Sequence, residues 1–270
     1  MKKYMLDLLL RRTTQPRPGY VLMQLTNPGG PLPEMQPGQF VEVRVDGSPQ
    51  TFLRRPISIN LVDRQANELW LLVHAVGEGT RALAALTEGA VVNVILPLGR
   101  GFTMPDAASL PEEASRENRE ERYLLVGGGV GTAPLLYMGQ ELVALGCKPA
   151  FLLGAHSADD LLQLDHFRSL GEVSLTTEDG SAGEHGFVTQ HSIWQQASNV
   201  FTRICTCGPK PMMVAVARLA RELGIPCEAS LENLMACGLG ACLCCVEDTT
   251  DGNLCVCKEG PVFQTDKLKW

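Results

Sequence analysis

Six cysteines crowd into the last part of this chain: Cys237, Cys242, Cys244, Cys245, Cys255 and Cys257. Three of them, Cys237, Cys242 and Cys245, stand in C-x4-C-x2-C spacing with further cysteines downstream. That is the plant-type spacing for a [2Fe–2S] cluster. Four thiolates must converge on two irons while main-chain amides turn towards the sulfurs. Gly238 and Gly240 permit so tight a wrap, because glycine tolerates positive φ. Spacing leaves the fourth ligand open between Cys255 and Cys257. A structural zinc site would use paired C-x2-4-C knuckles, and the second half of this segment lacks one. Cys147, Cys205 and Cys227 read as inert buried thiols.

A second set of residues suits a flavin. In Leu53-Arg54-Arg55-Pro56-Ile57-Ser58-Ile59, an arginine is followed three residues on by a hydroxyl. The guanidinium can fork onto a pyrophosphate, and the hydroxyl can reach a flavin ring nitrogen. Gly77-Glu78-Gly79-Thr80 then precedes a helix expected from Arg81, where free amides favour an anion.

A third set suits a nicotinamide dinucleotide. Gly127-Gly128-Gly129-Val130-Gly131-Thr132-Ala133-Pro134 follows an apolar run and opens a helical one, so main chain and helix N-terminus can meet a pyrophosphate. It departs from G-x-G-x-x-G/A, with Pro134 in the last position. Cys207-Gly208-Pro209 comes after a later strand and before another helix. In an open parallel sheet ligands bind at the carboxyl ends of strands, where the Cys207 thiol could pack beside a nicotinamide ring. No Arg or Lys stands in Gly154-Ala155-His156-Ser157 to meet a 2′-phosphate, which favours NAD over NADP.

The elements that must position these residues fall into stretches of different grammar. Residues 1–104 carry short strand patterns such as Gln39–Val45 and Leu69–His74, punctuated by Asn27-Pro28-Gly29-Gly30 and Gln36-Pro37-Gly38. They predict an antiparallel β-barrel. Residues 105–122 are polar with alternating charges and predict an exposed linker. Over 123–228 the strands Tyr123–Val126, Pro149–Leu153, Val173–Thr176 and Val200–Cys205 alternate with helical stretches, the first from Ala133 to Leu145. That alternation predicts an α/β domain on a parallel sheet. Residues 229–270 form a small cluster subdomain that needs an inorganic centre to hold it. The expected fold class is therefore multidomain β and α/β.

Bulk properties agree. The chain has 270 residues, 45% hydrophobic, enough for more than one buried core. Its net charge of -7 gives no general attraction to nucleic acid. The opening residues, basic with Asp7 inside the apolar run, read as a first strand and not as a signal peptide. No run is apolar and long enough to span a bilayer. The expectation is a cytoplasmic protein.

Taken in order, Arg55-Pro56-Ile57-Ser58, Gly77-Glu78-Gly79-Thr80, Gly127 to Pro134, Cys207-Gly208-Pro209-Lys210-Pro211-Met212 and Cys237 to Cys257 resemble the ferredoxin–NADP reductase superfamily. Within it the chain is most similar to the electron-transfer subunits of class 1B dihydroorotate dehydrogenases. Ser230-Leu231-Glu232 and Lys258-Glu259-Gly260-Pro261-Val262-Phe263 flank the cysteines as in that family. The resemblance implies Cys237, Cys242, Cys245 and Cys257 as the ligands, with Cys244 and Cys255 outside the set. It implies FAD contacts at Arg55, Pro56, Ile57, Ser58, Leu72, Val73, His74, Gly79 and Thr80. It implies NAD contacts at Gly127, Gly128, Gly129, Gly131, Thr132, Asp179, Cys207, Gly208 and Pro209. Ile57 stands where many members have tyrosine, and His74 where close relatives often have arginine.

The resemblance further implies a partner. An FMN-containing catalytic subunit oxidises dihydroorotate, and electrons pass through [2Fe–2S] and FAD to NAD+ within a heterotetramer, in UMP biosynthesis. Rival readings are the small subunit of an NAD(P)H–ferredoxin transhydrogenase or sulfide dehydrogenase, a stand-alone flavin reductase, and a zinc-stabilised binding module. The first often carries Asp where Cys237 stands. A lone reductase has no need of a one-electron outlet.

Overall fold

The computed structural model describes residues 2–105 and 121–270. Most of the linker expected at 105–122 lies outside the described residues. Two units are resolved, one of residues 1–101 with 232–262, the other of residues 102–231 with 263–270. The cysteine-rich segment thus groups with the N-terminal strands, while the last residues return to the second unit.

The first unit is built on a closed barrel. Its strands are β1 (Tyr4–Arg17), β2 (Tyr20–Thr26), β3 (Phe40–Val43), β4 (Arg55–Asp63), β5 (Glu68–His74) and β6 (Val91–Leu98), in the order β1-β2-β5-β4-β3-β6. Every pairing with a resolved register is antiparallel. Closure removes free sheet edges. Leu8, Leu10, Leu25, Ile59, Leu69, Leu71, Val94 and Leu96 fill the core, each almost fully buried. The β4–β5 hairpin is set by Asp63, whose carboxylate accepts from the Gln65 and Ala66 amides, and by Asn67 in the left-handed region at φ 54°. Between β5 and β6, helix α1 (Glu78–Ala84) starts three residues before the expected Arg81.

All four residues of β3 are buried, including Glu42. A barrel strand normally alternates between inside and outside. Here the outer positions are covered as well: Phe40 approaches Gly99, and Gly99 approaches Pro261 of the cysteine-rich segment. That segment contains a small hairpin, β13 (Val246–Thr249) and β14 (Gly252–Cys255).

The second unit holds β7 (Tyr123–Gly128), α2 (Ala133–Ala144), β8 (Ala150–Ala155), α3 (Leu164–Leu170), β9 (Glu172–Thr177), β10 (Glu184–His185), α4 (Ala197–Val200), β11 (Arg203–Cys207), α5 (Lys210–Glu222) and β12 (Cys227–Ser230). With β15 (Val262–Gln264) they give the sheet order β10-β9-β8-β7-β11-β12-β15. The pairs from β10 to β12 are parallel. β7 is buried along its whole length, as a central parallel strand covered on both faces must be. One core cluster contains Leu124, Leu152, Trp194, Ile204 and Val216. The strand expected from Val200 begins only at Arg203, because 197–200 coil into α4. Among the described residues no helix is long and apolar enough to cross a membrane.

Candidate functional site

The cysteine segment shows how glycines aim main-chain donors at sulfur. Gly238 and Gly240 lie at φ 64° and 82°, and Leu243 joins them at 61°. The turn they make lets Leu239 N donate to Cys237 Sγ (3.3 Å) and Gly240 N to Cys257 Sγ (3.1 Å). Cys257 N donates in turn to Cys245 Sγ at 3.4 Å. Cys237, Cys245 and Cys257 are therefore linked through one amide–sulfur network, with Cys242 on the exposed side of the same loop.

The electrostatics follow. Burial raises the Cys237 thiol, but amides of Leu239, Cys242 and Ala241 outweigh it and bring the group down to about 6. Burial and then the neighbouring Cys245 push Cys257 up to about 12. Amides turned on sulfur stabilise thiolates, as a cluster-binding loop requires. Among the described residues, no three His, Cys, Asp or Glu side chains are grouped to hold a single ion. Cys244 is exposed and Cys255 half-buried. Cys147, Cys205 and Cys227 are buried, and burial pushes Cys227 up to about 12 and Cys205 well above the ordinary thiol value.

The flavin candidates gather at one part of the barrel. Arg55, Pro56, Ile57 and Ser58 are all half-buried, whereas Ile59 and Asn60 just beyond them are buried. Both faces of this stretch thus keep accessible surface. Gly79 lies against Arg55: a Cβ there would stand 2.7 Å from Arg55 Nε and 3.0 Å from Thr51 Cγ2. Gly77 N donates to Thr80 Oγ1 at 3.0 Å. Arg55 Nη1 donates to the Leu53 and Arg54 carbonyls, which fixes the guanidinium beside Gly79. Leu72 and Val73 bury their side chains in the core, leaving main chain for any ligand, and His74 is half-exposed. The donor types and the glycine-sized approach to Arg55 fit a pyrophosphate.

In the second unit two loops meet at the carboxyl ends of the adjacent strands β7 and β11. A Cβ on Gly131 would lie 2.4 Å from Gly208 Cα, and one on Gly128 would lie 2.7 Å from Met212 Sδ. Gly129–Thr132 forms a 3-10 turn leading into α2. Pro134 falls in the first turn of α2, where a missing N–H costs nothing. Its place in the motif therefore starts the helix instead of breaking it. The Cys207 side chain is 1% exposed. Asp179 stands apart, after β9, with its amide on the His156 carbonyl (3.1 Å). Hydrogen bonds from the Ser181 hydroxyl and then its amide hold the Asp179 carboxyl below the ordinary range.

Known proteins share this arrangement. Residues 232–269 match the iron–sulfur cluster binding domain of dihydroorotate dehydrogenase B, and residues 125–218 match the oxidoreductase NAD-binding domain. The dihydroorotate dehydrogenase B (NAD(+)) electron transfer subunit of Fusobacterium nucleatum is 40% identical over 84% of each chain. That of Shouchella clausii is 41% identical over 86% of each. The chain belongs to this family. As such an electron transfer subunit it binds a [2Fe–2S] cluster, FAD and NAD. The family fold extends to a solved NADH-dependent reduced ferredoxin–NADP oxidoreductase, with a TM-score of 0.82 and 26% identity over 98% of this chain and 90% of that one. An Amycolatopsis cytochrome P450 reductase shares the fold alone, with a TM-score of 0.67 and 22% identity over 82% of this chain and 66% of that one.

Two features of this electron transfer subunit escape a motif search. Tyr20 stacks on His74 with ring centroids 4.1 Å apart and planes 5° from parallel, and the Arg17 guanidinium lies 5.4 Å from the Tyr20 ring. Tyr20 pairs with His74 across the β2–β5 ladder, so only the register of a distant strand brings them together. Glu42 is the second. Burial, partly offset by Arg54, pushes its carboxyl up to about 7. A Glu at an outward barrel position would have been read as solvated.

Proposed function

We propose that this chain delivers electrons from dihydroorotate oxidation, carried out by an FMN-containing catalytic subunit, to NAD+ in UMP biosynthesis. The two would act as a cytoplasmic heterotetramer. In this reading Cys237, Cys242, Cys245 and Cys257 hold the [2Fe–2S] cluster. Arg55 to Ser58, Leu72 to His74, Gly79 and Thr80 hold FAD. The Gly127–Thr132 and Cys207–Pro209 loops hold NAD, with Cys207 behind the nicotinamide side and Asp179 further along the sheet edge. The working divisions are a flavin barrel at 1–104, a linker at 105–122, a nicotinamide domain at 123–228 and a cluster subdomain at 229–270.

The observation that carries the reading is the amide–sulfur network of Cys237, Cys245 and Cys257. Donors trained on sulfur are what an iron–sulfur centre uses and what inert thiols do not need. A bound flavin supplies the exchange between one-electron and two-electron carriers. The protein's own part is to hold the carriers and to exclude water from the buried sulfurs of Cys245 and Cys257. Leu234, Leu239 and Leu243 are exposed around the cysteine loop, an apolar rim suited to a partner subunit.

A transhydrogenase small subunit is the alternative, favoured by the 0.82 TM-score to the ferredoxin–NADP oxidoreductase. Affinity purification of the chain from native cells separates the two. Co-purification of an FMN protein that reduces NAD+ with dihydroorotate supports the first reading. A partner that exchanges electrons between NADH and NADP+ supports the second.

A further inference from the structure

Glu42 is 0% exposed, and neither of its carboxyl oxygens has a hydrogen-bond partner. A buried carboxylate without donors is a poor device for stability, since a leucine of similar volume avoids the desolvation cost and a glutamine avoids the larger cost of a buried charge. Its location gives the reason. A Cβ placed on Gly238 would lie 2.6 Å from Glu42 Cγ and 3.0 Å from Oε1. The side chain therefore sits directly beneath the main chain one residue after Cys237. Glycine is required at 238 twice over, by this contact and by φ 64°.

The surroundings compensate the charge only in part. The Arg54 guanidinium is anchored nearby, donating to the Glu42 carbonyl and the Asn93 carbonyl, both at 3.2 Å. Asn93 Nδ2 is itself tied to Asp7 Oδ1 at 2.6 Å. Arg54 thus spends its hydrogen bonds on carbonyls and Asn93, not on the Glu42 carboxyl. Arg55 is the other cation that acts on Glu42, and the Cys237 sulfur the neighbouring anion. Charges in so dry a setting act over longer distances than at a surface.

We propose that Glu42 is a positioning and tuning residue for the iron–sulfur centre. Its side chain props the loop at Gly238, and its incompletely compensated carboxyl lowers the potential at which the centre accepts an electron. Arg54 is the counterweight. The proposal rests on Cys237 being a cluster ligand.

The test uses the full-length holoprotein, with iron, sulfide and flavin assayed first, then dye-mediated potentiometry at pH 8 read by electron paramagnetic resonance. Glu42→Gln is expected to keep its iron and flavin content. It should shift the dye–cluster equilibrium about tenfold towards reduction, about 59 mV for one electron. Arg54→Gln should shift it the opposite way, and the double variant should return towards the wild type. An unmoved midpoint in iron-loaded Glu42→Gln overturns the proposal, as does movement of both single variants in the same direction. If Glu42→Gln does not fold, Arg54→Gln decides alone: a positive shift or none overturns it. Wild-type protein without iron would instead overturn the ligand assignment beneath it.

Discussion

Gly131 and Gly208 touch through their main chains, so closely that a Cβ on Gly131 would stand 2.4 Å from Gly208 Cα. Neighbouring parallel strands β7 and β11 deliver both residues to the same end of the sheet. The glycines of the two motifs are thus one feature: each loop needs the other's lack of a side chain. Gly131→Ala should force the loops apart by an ångström or so and lower kcat/KM for NADH about a hundredfold. Flavin content should be unchanged. Steady-state kinetics with a dye acceptor, alongside a flavin spectrum, measures both.

Cys242 is an exposed thiol of the cysteine loop. Cys242→Ser should spare NADH-to-dye activity and stop electron transfer to the partner subunit. Retained transfer to the partner would remove the cluster from the relay.

The stack of Tyr20 on His74 fixes the ring at the end of β5, two residues after Leu72. Tyr20→Leu should weaken FAD retention, by about fivefold for the loss of a stacking contact of about 1 kcal/mol. Tyr20→Phe keeps the stack and should retain FAD. Equilibrium dialysis against free FAD reads the difference.

The same stack has a pH signature. Burial first, and then Arg17, hold His74 below the ordinary imidazole value of 6.5. The unfolded chain therefore takes up a proton there more readily than the folded one. Stability from neutral His74 is complete above the unfolded value and is lost as pH falls through it towards the folded one. The urea midpoint should drop between pH 8 and pH 5.5, and part of that drop should vanish in His74→Phe.

Glu228 in β12 is buried and accepts from Thr103 N (3.1 Å), Thr103 Oγ1 (2.6 Å) and Gln264 Nε2 (2.8 Å). These donors come from the start and the end of the second unit, so one carboxylate fastens both. Glu228→Leu strands them and should cost about 3 kcal/mol. Glu228→Gln, which keeps one acceptor, should cost less. Thermal unfolding measures both variants.

Legibility in the sequence followed the range of the interactions. The glycine turn before α2 and the C-x4-C-x2-C spacing are local, and both could be read from neighbouring residues. β11 begins three residues later than its apolar run predicts, because Ala197–Val200 coils into a helical turn that apolar content alone does not reveal. The attachment of 232–262 to the barrel unit was invisible for a different reason. It depends on Phe40 and Glu42 facing outward under a cover nearly two hundred residues away. An all-buried strand such as Phe40–Val43 looks the same in sequence whichever element covers it.

Iron and acid-labile sulfide per chain, measured on anaerobically purified protein and on its cysteine variants, bear most directly on the cluster at Cys237, Cys242, Cys245 and Cys257. The expected result is about two of each, lost in Cys257→Ser and kept in Cys255→Ser. Zinc in place of iron, or iron that survives in Cys257→Ser and disappears in Cys255→Ser, would contradict it.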